Sequence, residues 1–133
     1  MAEENWMDFF GWQDKQLEDL RLVAFSYLKQ GKYDIAATFF ETLTILNPKN
    51  AYDWQTLGSI YLETKKQEKA LPCFEEALKI DPDYFLAQLN QAKALVALDP
   101  AKAYQLADSL RSCSDPTVAE HAKMLYQMLE KAS

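Results

Sequence analysis

The side chains that most often catalyse reactions or bind metals are few and scattered in this chain. It has one histidine, His121, and two cysteines, Cys73 and Cys113, which lie far apart in the sequence. There is no Cys-x-x-Cys pair, and no cysteine or acid stands at metal-ligand spacing from the histidine, so we expect neither a metal site nor a general base at His121. Both cysteines are predicted to be small apolar groups of the interior.

Motifs for cofactor binding and nucleophilic catalysis are also missing. The three glycines are scattered, so they form no phosphate-binding loop, and no nucleophile motif occurs. The adjacent acids Glu75 and Glu76 fall on a predicted helix, where a solvated face is expected rather than a catalytic pair. The sequence therefore predicts a protein that is not an enzyme and needs no cofactor.

The composition of the 133 residues indicates an acidic globular protein. Apolar residues make up 49% of the chain and charged residues 26%, which is enough apolar surface to build a core. Acids outnumber bases by 20 to 14, and the net charge of −6 disfavours nucleic acid as a partner. No apolar stretch approaches the roughly 18 residues of a membrane span, and the first residues are acidic where a signal peptide is basic. We therefore expect a cytoplasmic protein without membrane insertion.

An internal repeat with a spacing of 34 residues predicts the secondary structure of the chain. The matched pairs are Ala24 and Gly58, Tyr27 and Tyr61, Ala36 and Ala70, Phe40 and Phe74, and Pro48 and Pro82. Small residues let two helices approach closely, aromatic residues fill the space between them, and proline ends the second helix. The pattern predicts two antiparallel helices in each unit.

This pattern resembles the tetratricopeptide repeat. The resemblance implies an all-α superhelix of three helical hairpins with an N-terminal helix and a C-terminal capping helix. The predicted segments of this single domain are an aromatic arm at 1–16, repeats at 17–50 and 51–84, a degenerate third repeat at 85–116 and the cap at 117–133. The third repeat fits only if one residue is deleted from its turn, and a weak last repeat is typical of such arrays.

The resemblance also implies that the first helix of each unit lines a concave groove. The residues that it places there are Arg21, Phe25, Leu28, Tyr33, Tyr52, Gln55, Ser59, Leu62, Leu86 and Leu89. An exposed apolar strip of this kind indicates a partner site, although Leu89 fits a core position equally well. The strip predicts binding of an apolar polypeptide segment.

One known binding mode of such domains is disfavoured. Chaperone-binding tetratricopeptide domains hold a C-terminal carboxylate in a clamp of lysine, asparagine and arginine side chains. Here the asparagine positions hold Phe25 and Thr56, Arg21 replaces the first lysine, and the third-repeat positions hold Leu86 and Asn90. A bound carboxylate needs several charge-assisted donors, which this set lacks.

Several motifs resemble the class II chaperones of bacterial type III secretion. They are LRLVAF at 20–25, GKY at 31–33, Asp53-Trp54 and Leu57-Gly58, and the similarity spans roughly 17–130. It implies a cytoplasmic bacterial chaperone that binds a hydrophobic, translocator-like secretion substrate in its groove and keeps it soluble and export-competent. Thr44 departs from this pattern, because the family commonly has cysteine there.

Two alternatives remain open. Chaperones of the secretion needle subunit are similar through Leu110-Arg111-Ser112 and Asp115-Pro116. That resemblance implies a groove that holds an amphipathic helix, often together with a small co-chaperone. The other alternative is a generic tetratricopeptide scaffold that assembles a protein complex.

The N-terminal arm is the most aromatic part of the chain. Trp6, Phe9, Phe10 and Trp12 lie within a few residues of one another, and burying such a side chain stabilises a protein by about 1.5–3 kcal/mol. The arm is expected either to fold back on the first repeat or to mediate self-association. The family resemblance implies the second, a homodimer.

Overall fold

A computed structural model describes residues 14–132 of the chain. Within this range there are seven α-helices and no strand, which confirms the predicted all-α class. The helices are α1 Asp14–Lys29, α2 Tyr33–Leu46, α3 Ala51–Glu63, α4 Gln67–Ile80, α5 Phe85–Leu98, α6 Pro100–Leu110 and α7 Pro116–Ala132. They form three hairpins, α1 with α2, α3 with α4 and α5 with α6, and each hairpin packs against the next.

The turns inside the hairpins explain why the third repeat is shorter. Gly31 and Lys65 stand at the same turn position of the first two hairpins and have φ angles of 76° and 64°. Glycine adopts this left-handed conformation freely, whereas it costs Lys65 about 1–2 kcal/mol. Residues 30–32 and 64–66 connect the helices of the first two hairpins, whereas Asp99 alone joins α5 to α6.

Side-chain caps fix where three of the helices begin. The side chain of Asn50 accepts a hydrogen bond of 2.9 Å from the Asp53 backbone N–H at the start of α3. Asp99 accepts from the Lys102 N–H at 3.3 Å, and Asp115 accepts from the Val118 N–H at 3.3 Å. A proline follows each of the two aspartates at the first helical position, where its missing N–H has no cost.

The small residues of the repeat are the points of closest helix contact. Ala24, Ala36 and Ala70 are fully buried, as are the rings of Phe40 and Phe74. A Cβ atom on Gly58 would lie only 2.6 Å from Cε1 of Phe74, so a larger residue where α3 meets α4 would force this buried ring to shift. This core continues through α5 and α6 and is closed by α7, which packs against both helices.

Candidate partner-binding face

The first helix of each of the three hairpins is α1, α3 or α5. The exposed surface of these three helices is here called the inner face. Six of the residues that the sequence predicts for the groove are at least partly exposed on it: Phe25, Leu28, Tyr52, Ser59, Leu62 and Leu86. Phe25, Tyr52 and Leu86 each keep about two fifths of their surface exposed, at 41%, 39% and 41%. One large apolar side chain on each of three successive hairpins is therefore available to a partner.

The repeat spacing arranges these side chains in rows. Tyr52 and Leu86 occupy the same position on α3 and α5, and Leu28 and Leu62 occupy another shared position on α1 and α3. Equivalent positions of stacked hairpins point in similar directions, so each row runs across the helices rather than along one of them. A segment that contacts a whole row must cross from one hairpin to the next.

Tyr84 is an aromatic residue next to α5 that the sequence did not single out. It precedes α5, is half-buried and interacts electrostatically with Tyr52 and Asp53. Burial raises the pKa of Tyr84, and the nearby Tyr52 raises it further. Tyr84 directly precedes α5, at the repeat position that the capping residue Asn50 occupies before α3. This position is the only signal in the sequence that could have indicated it.

Arg21 is not a free donor for a partner, which corrects its assignment as a binding residue. Its Nε and Nη2 atoms donate to the two carboxylate oxygens of Asp53 at 2.7 and 2.8 Å. Its Nη1 atom donates to Glu18 at 2.5 Å. Asp53 is completely buried, and the hydrogen bond from Arg21 to this carboxylate raises the pKa of the guanidinium. The pair braces α1 against α3.

Gln55 is likewise engaged within the protein rather than available on the inner face. It is almost fully buried, and its side-chain oxygen accepts a hydrogen bond of 2.9 Å from Nδ2 of Asn90. This bond joins α3 to α5 as the Arg21–Asp53 pair joins α1 to α3. The two polar contacts together hold the three first helices beside one another.

Two further groove assignments are corrected. Leu89 is only 1% exposed and belongs to the core, because α7 packs over it with Val118 and Ala122. Tyr33 is the first residue of α2, a second helix. It lines a small depression with Gly31 and Thr64 at the turns and is not on the inner face.

The side chains that could catalyse a reaction or bind a metal lie apart from one another. Burial raises the pKa of the Cys73 thiol to about 11, and Cys113 is half-buried with its thiol 3.5 Å from the Asp115 carbonyl oxygen. His121 is exposed on α7. Between residues 14 and 132, no three His, Cys, Asp or Glu side chains are grouped as a metal site requires.

Two further predictions concern membranes and self-association. In the part of the chain that the structure describes, none of the helices combines the length and apolar character of a membrane span. Trp6, Phe9, Phe10 and Trp12, proposed for self-association, lie outside the described residues.

Comparison with known proteins identifies similar repeats and similar proteins. Residues 51–84 match the family model of the tetratricopeptide repeat. The chain is 32% identical over 109 residues to anaphase-promoting complex subunit 3 of Schizosaccharomyces pombe, in a match that covers 79% of this chain and 16% of that protein. The curated relatives that it matches are much longer proteins, of which it spans between 9% and 19%.

Solved structures of the same fold match about nine tenths of this chain. The Yersinia enterocolitica type III secretion chaperone SycD, in complex with a peptide of the translocator YopD, superposes with a TM-score of 0.80 at 20% identity over 90% of this chain and 93% of that chain. The TPR2B domain of yeast Sti1, in complex with pHsp70, superposes with a TM-score of 0.82 at 18% identity over 90% and 100% of the two chains. The repeat match and these structures together show that the chain has the tetratricopeptide-repeat fold.

Proposed function

We propose that this chain is a chaperone that binds an extended, apolar segment of a secretion substrate on its inner face. It acts in the bacterial cytoplasm and keeps a translocator-like protein soluble until type III export. The observation that carries the proposal is the set of Phe25, Tyr52 and Leu86, exposed on three successive hairpins. The SycD structure supports it, because that chaperone shares the fold and was solved with a translocator peptide.

The geometry of the stack defines the segment that fits. Packed helices lie about 10 Å apart, and a chain extended in the polyproline II conformation advances about 3.1 Å for each residue and brings every third side chain to the same side. A partner side chain that follows the row from Tyr52 to Leu86 therefore recurs about every third residue. Each large apolar side chain that becomes buried contributes about 1.5–3 kcal/mol, part of which offsets the entropy lost on association.

A carboxylate-binding mode has less support from the residues at the clamp positions. The guanidinium of Arg21 is already neutralised by Asp53 and Glu18. Phe25 is apolar, and Thr56 is buried. These positions offer no set of free donors for the terminal carboxylate of a partner.

The experiment compares two variants that introduce the same charge. Phe25→Glu alters the inner face, and Ile45→Glu alters an exposed apolar residue of α2, a second helix. The probe is a labelled peptide with leucine at every third position, and fluorescence anisotropy measures its dissociation constant. We expect Phe25→Glu to weaken binding by at least about tenfold, since it removes an anchor and buries a charge, while Ile45→Glu changes it less than twofold.

Circular dichroism checks that both variants keep their helices. Equal binding by the Phe25→Glu variant and the unaltered chain would place the partner elsewhere. Tighter binding of an amphipathic helical peptide with heptad spacing would contradict the extended mode and favour a needle-subunit chaperone.

A second candidate function is a scaffold module within a protein assembly. The 32% identity to a subunit of the anaphase-promoting complex favours it. The two functions predict different behaviour of the partner when this chain is absent. A chaperone substrate then aggregates, whereas an assembly subunit stays folded and soluble. Co-expression and sedimentation of a partner with and without the chain distinguish them.

A further inference from the structure

The ring of Tyr61 closes the junction between the first two hairpins. Tyr61 lies on α3 and is only 7% exposed, and its hydroxyl donates a hydrogen bond to the carboxylate of Glu41 on α2. The ammonium of Lys69 on α4 lies 4.9 Å from the centre of the ring, within reach of a cation–π interaction. A carboxylate and an ammonium from two second helices thus hold one phenol ring between them.

The third repeat keeps these two charged groups but has no ring between them. Leu95 on α5 occupies the position of Tyr61, 34 residues later. Around it, Glu75 on α4 and Lys102 on α6 stand 34 and 33 residues after the carboxylate and ammonium that hold Tyr61, since the third repeat lacks one residue. Both side chains are exposed, and neither forms an ion pair within residues 14–132.

A depression of about 510 Å³ lies at this second junction and is here called the notch. Three leucines, one from each of α4, α5 and α6, form its apolar part, and they are Leu71, Leu95 and Leu106. Glu75 and Lys102 line the notch beside them. The second junction therefore presents an open space with the polar groups that surround a buried tyrosine at the first.

We propose that the notch binds the side chain of a tyrosine on a partner polypeptide, which supplies the ring that the third repeat lacks. The carboxylate of Glu75 accepts the phenol proton, the ammonium of Lys102 lies against the ring, and the leucines contact its edges. This charge complementarity favours tyrosine, because phenylalanine has no hydroxyl donor and leucine has neither a donor nor a π face. The proposal is independent of what the inner face binds, since no residue of the notch belongs to its rows.

Three short peptides test the chemistry of the notch. They are acetyl-Gly-Gly-Tyr-Gly-Gly-amide and the two analogues with phenylalanine or leucine at the centre, titrated into the ¹⁵N-labelled full chain. Shifts of the amide signals of Leu95 and Lys102 in NMR spectra measure each dissociation constant. We expect saturable binding of the tyrosine peptide at millimolar concentrations, and binding of the two analogues that is weaker by at least about threefold.

Two variants test the residues. Glu75→Gln replaces the charged acceptor and should weaken binding of the tyrosine peptide by at least about threefold, without affecting the phenylalanine peptide. The matched control is Glu76→Gln, which alters the adjacent carboxylate that pairs with Lys79 and should leave both affinities unchanged. Leu95→Tyr restores the ring within the chain and should abolish binding at the notch, with circular dichroism confirming that the helices persist.

Three results would overturn the proposal. Equal affinities for the three peptides would show an apolar depression without selectivity for tyrosine. Unchanged affinity in the Glu75→Gln variant would show that its carboxylate does not accept the phenol proton. Shifts that do not saturate in the unaltered chain would show that the notch is no binding site.

Discussion

At the scale of single residues, the repeat keeps an interaction even where it changes the amino acid. The indole Nε1 of Trp54 donates to the carbonyl oxygen of Pro48 at 2.8 Å. One repeat later, Nε2 of Gln88 donates to the carbonyl oxygen of Pro82 at the same distance. The degenerate third repeat thus retains the bond that ties the start of a first helix to the end of the preceding hairpin. Its loss of aromatic character weakens the sequence pattern without removing this contact.

Gly58 gives the prediction at this scale. Gly58→Ala gains about 1 kcal/mol of helix propensity, but its Cβ would meet the buried ring of Phe74 at 2.6 Å, and overpacking costs about 1–3 kcal/mol. We expect the free energy of unfolding in urea to fall by about 1 kcal/mol. In a Phe74→Leu background the same substitution should be neutral or stabilising, because the ring is gone. Stabilisation by Gly58→Ala in the unaltered chain would show that the ring moves aside.

At the scale of helices, the inner face depends on two polar contacts between first helices. The Arg21–Asp53 pair joins α1 to α3, and the Gln55–Asn90 bond joins α3 to α5. Apolar contacts tolerate small shifts between helices, whereas a two-point contact between a guanidinium and a carboxylate is directional. These contacts therefore set how the rows of apolar side chains align across the hairpins.

A double-mutant cycle at the first contact tests this role. Arg21→Met leaves the buried carboxylate of Asp53 without its partner and should cost about 3 kcal/mol of unfolding free energy. Arg21→Met combined with Asp53→Asn should cost less than the sum of the single changes by at least about 1 kcal/mol. The exposed Glu76–Lys79 pair is the control, because Glu76→Gln should change stability by less than about 0.5 kcal/mol. If the effects of the changes at Arg21 and Asp53 were additive, the two side chains would not be coupled and the pair would not hold α1 against α3.

At the scale of the whole molecule, α7 decides where the partner face ends. Leu86 and Leu89 lie within one turn of α5, and the sequence places both in the groove. In the structure Leu86 is exposed, whereas Leu89 is buried with Leu110 beneath Val118 and Ala122 of α7. The cap therefore closes the core of the third hairpin and leaves the first turn of α5 for a partner.

These two leucines should separate stability from binding. Leu89→Ala should lower the unfolding free energy by about 3 kcal/mol, because it leaves a cavity in the core, and should leave the peptide affinity of the folded protein unchanged. Leu86→Ala should weaken peptide binding severalfold with less than about 0.5 kcal/mol of destabilisation. Urea unfolding and fluorescence anisotropy measure the two quantities. If Leu89→Ala instead weakened peptide binding and Leu86→Ala lowered stability, Leu89 would be a groove residue.

The helices, their pairing and their ends follow from the sequence, because they depend on neighbours a few residues away and on a pattern that recurs. Proline at 48 and 82, glycine at 31 and alanine at 24 and 36 act within their own hairpin or turn. The exposure of Phe25, Tyr52 and Leu86 also agrees with their repeat positions.

Which polar and apolar side chains remain available to a partner was decided only by tertiary structure. The partners of Arg21 and Gln55 lie in the next hairpin, 32 and 35 residues away, and Leu89 is covered by a helix outside the three hairpins. A repeat position indicates the direction in which a side chain points. It does not indicate which distant residue meets that side chain, because this depends on how separately formed hairpins pack together.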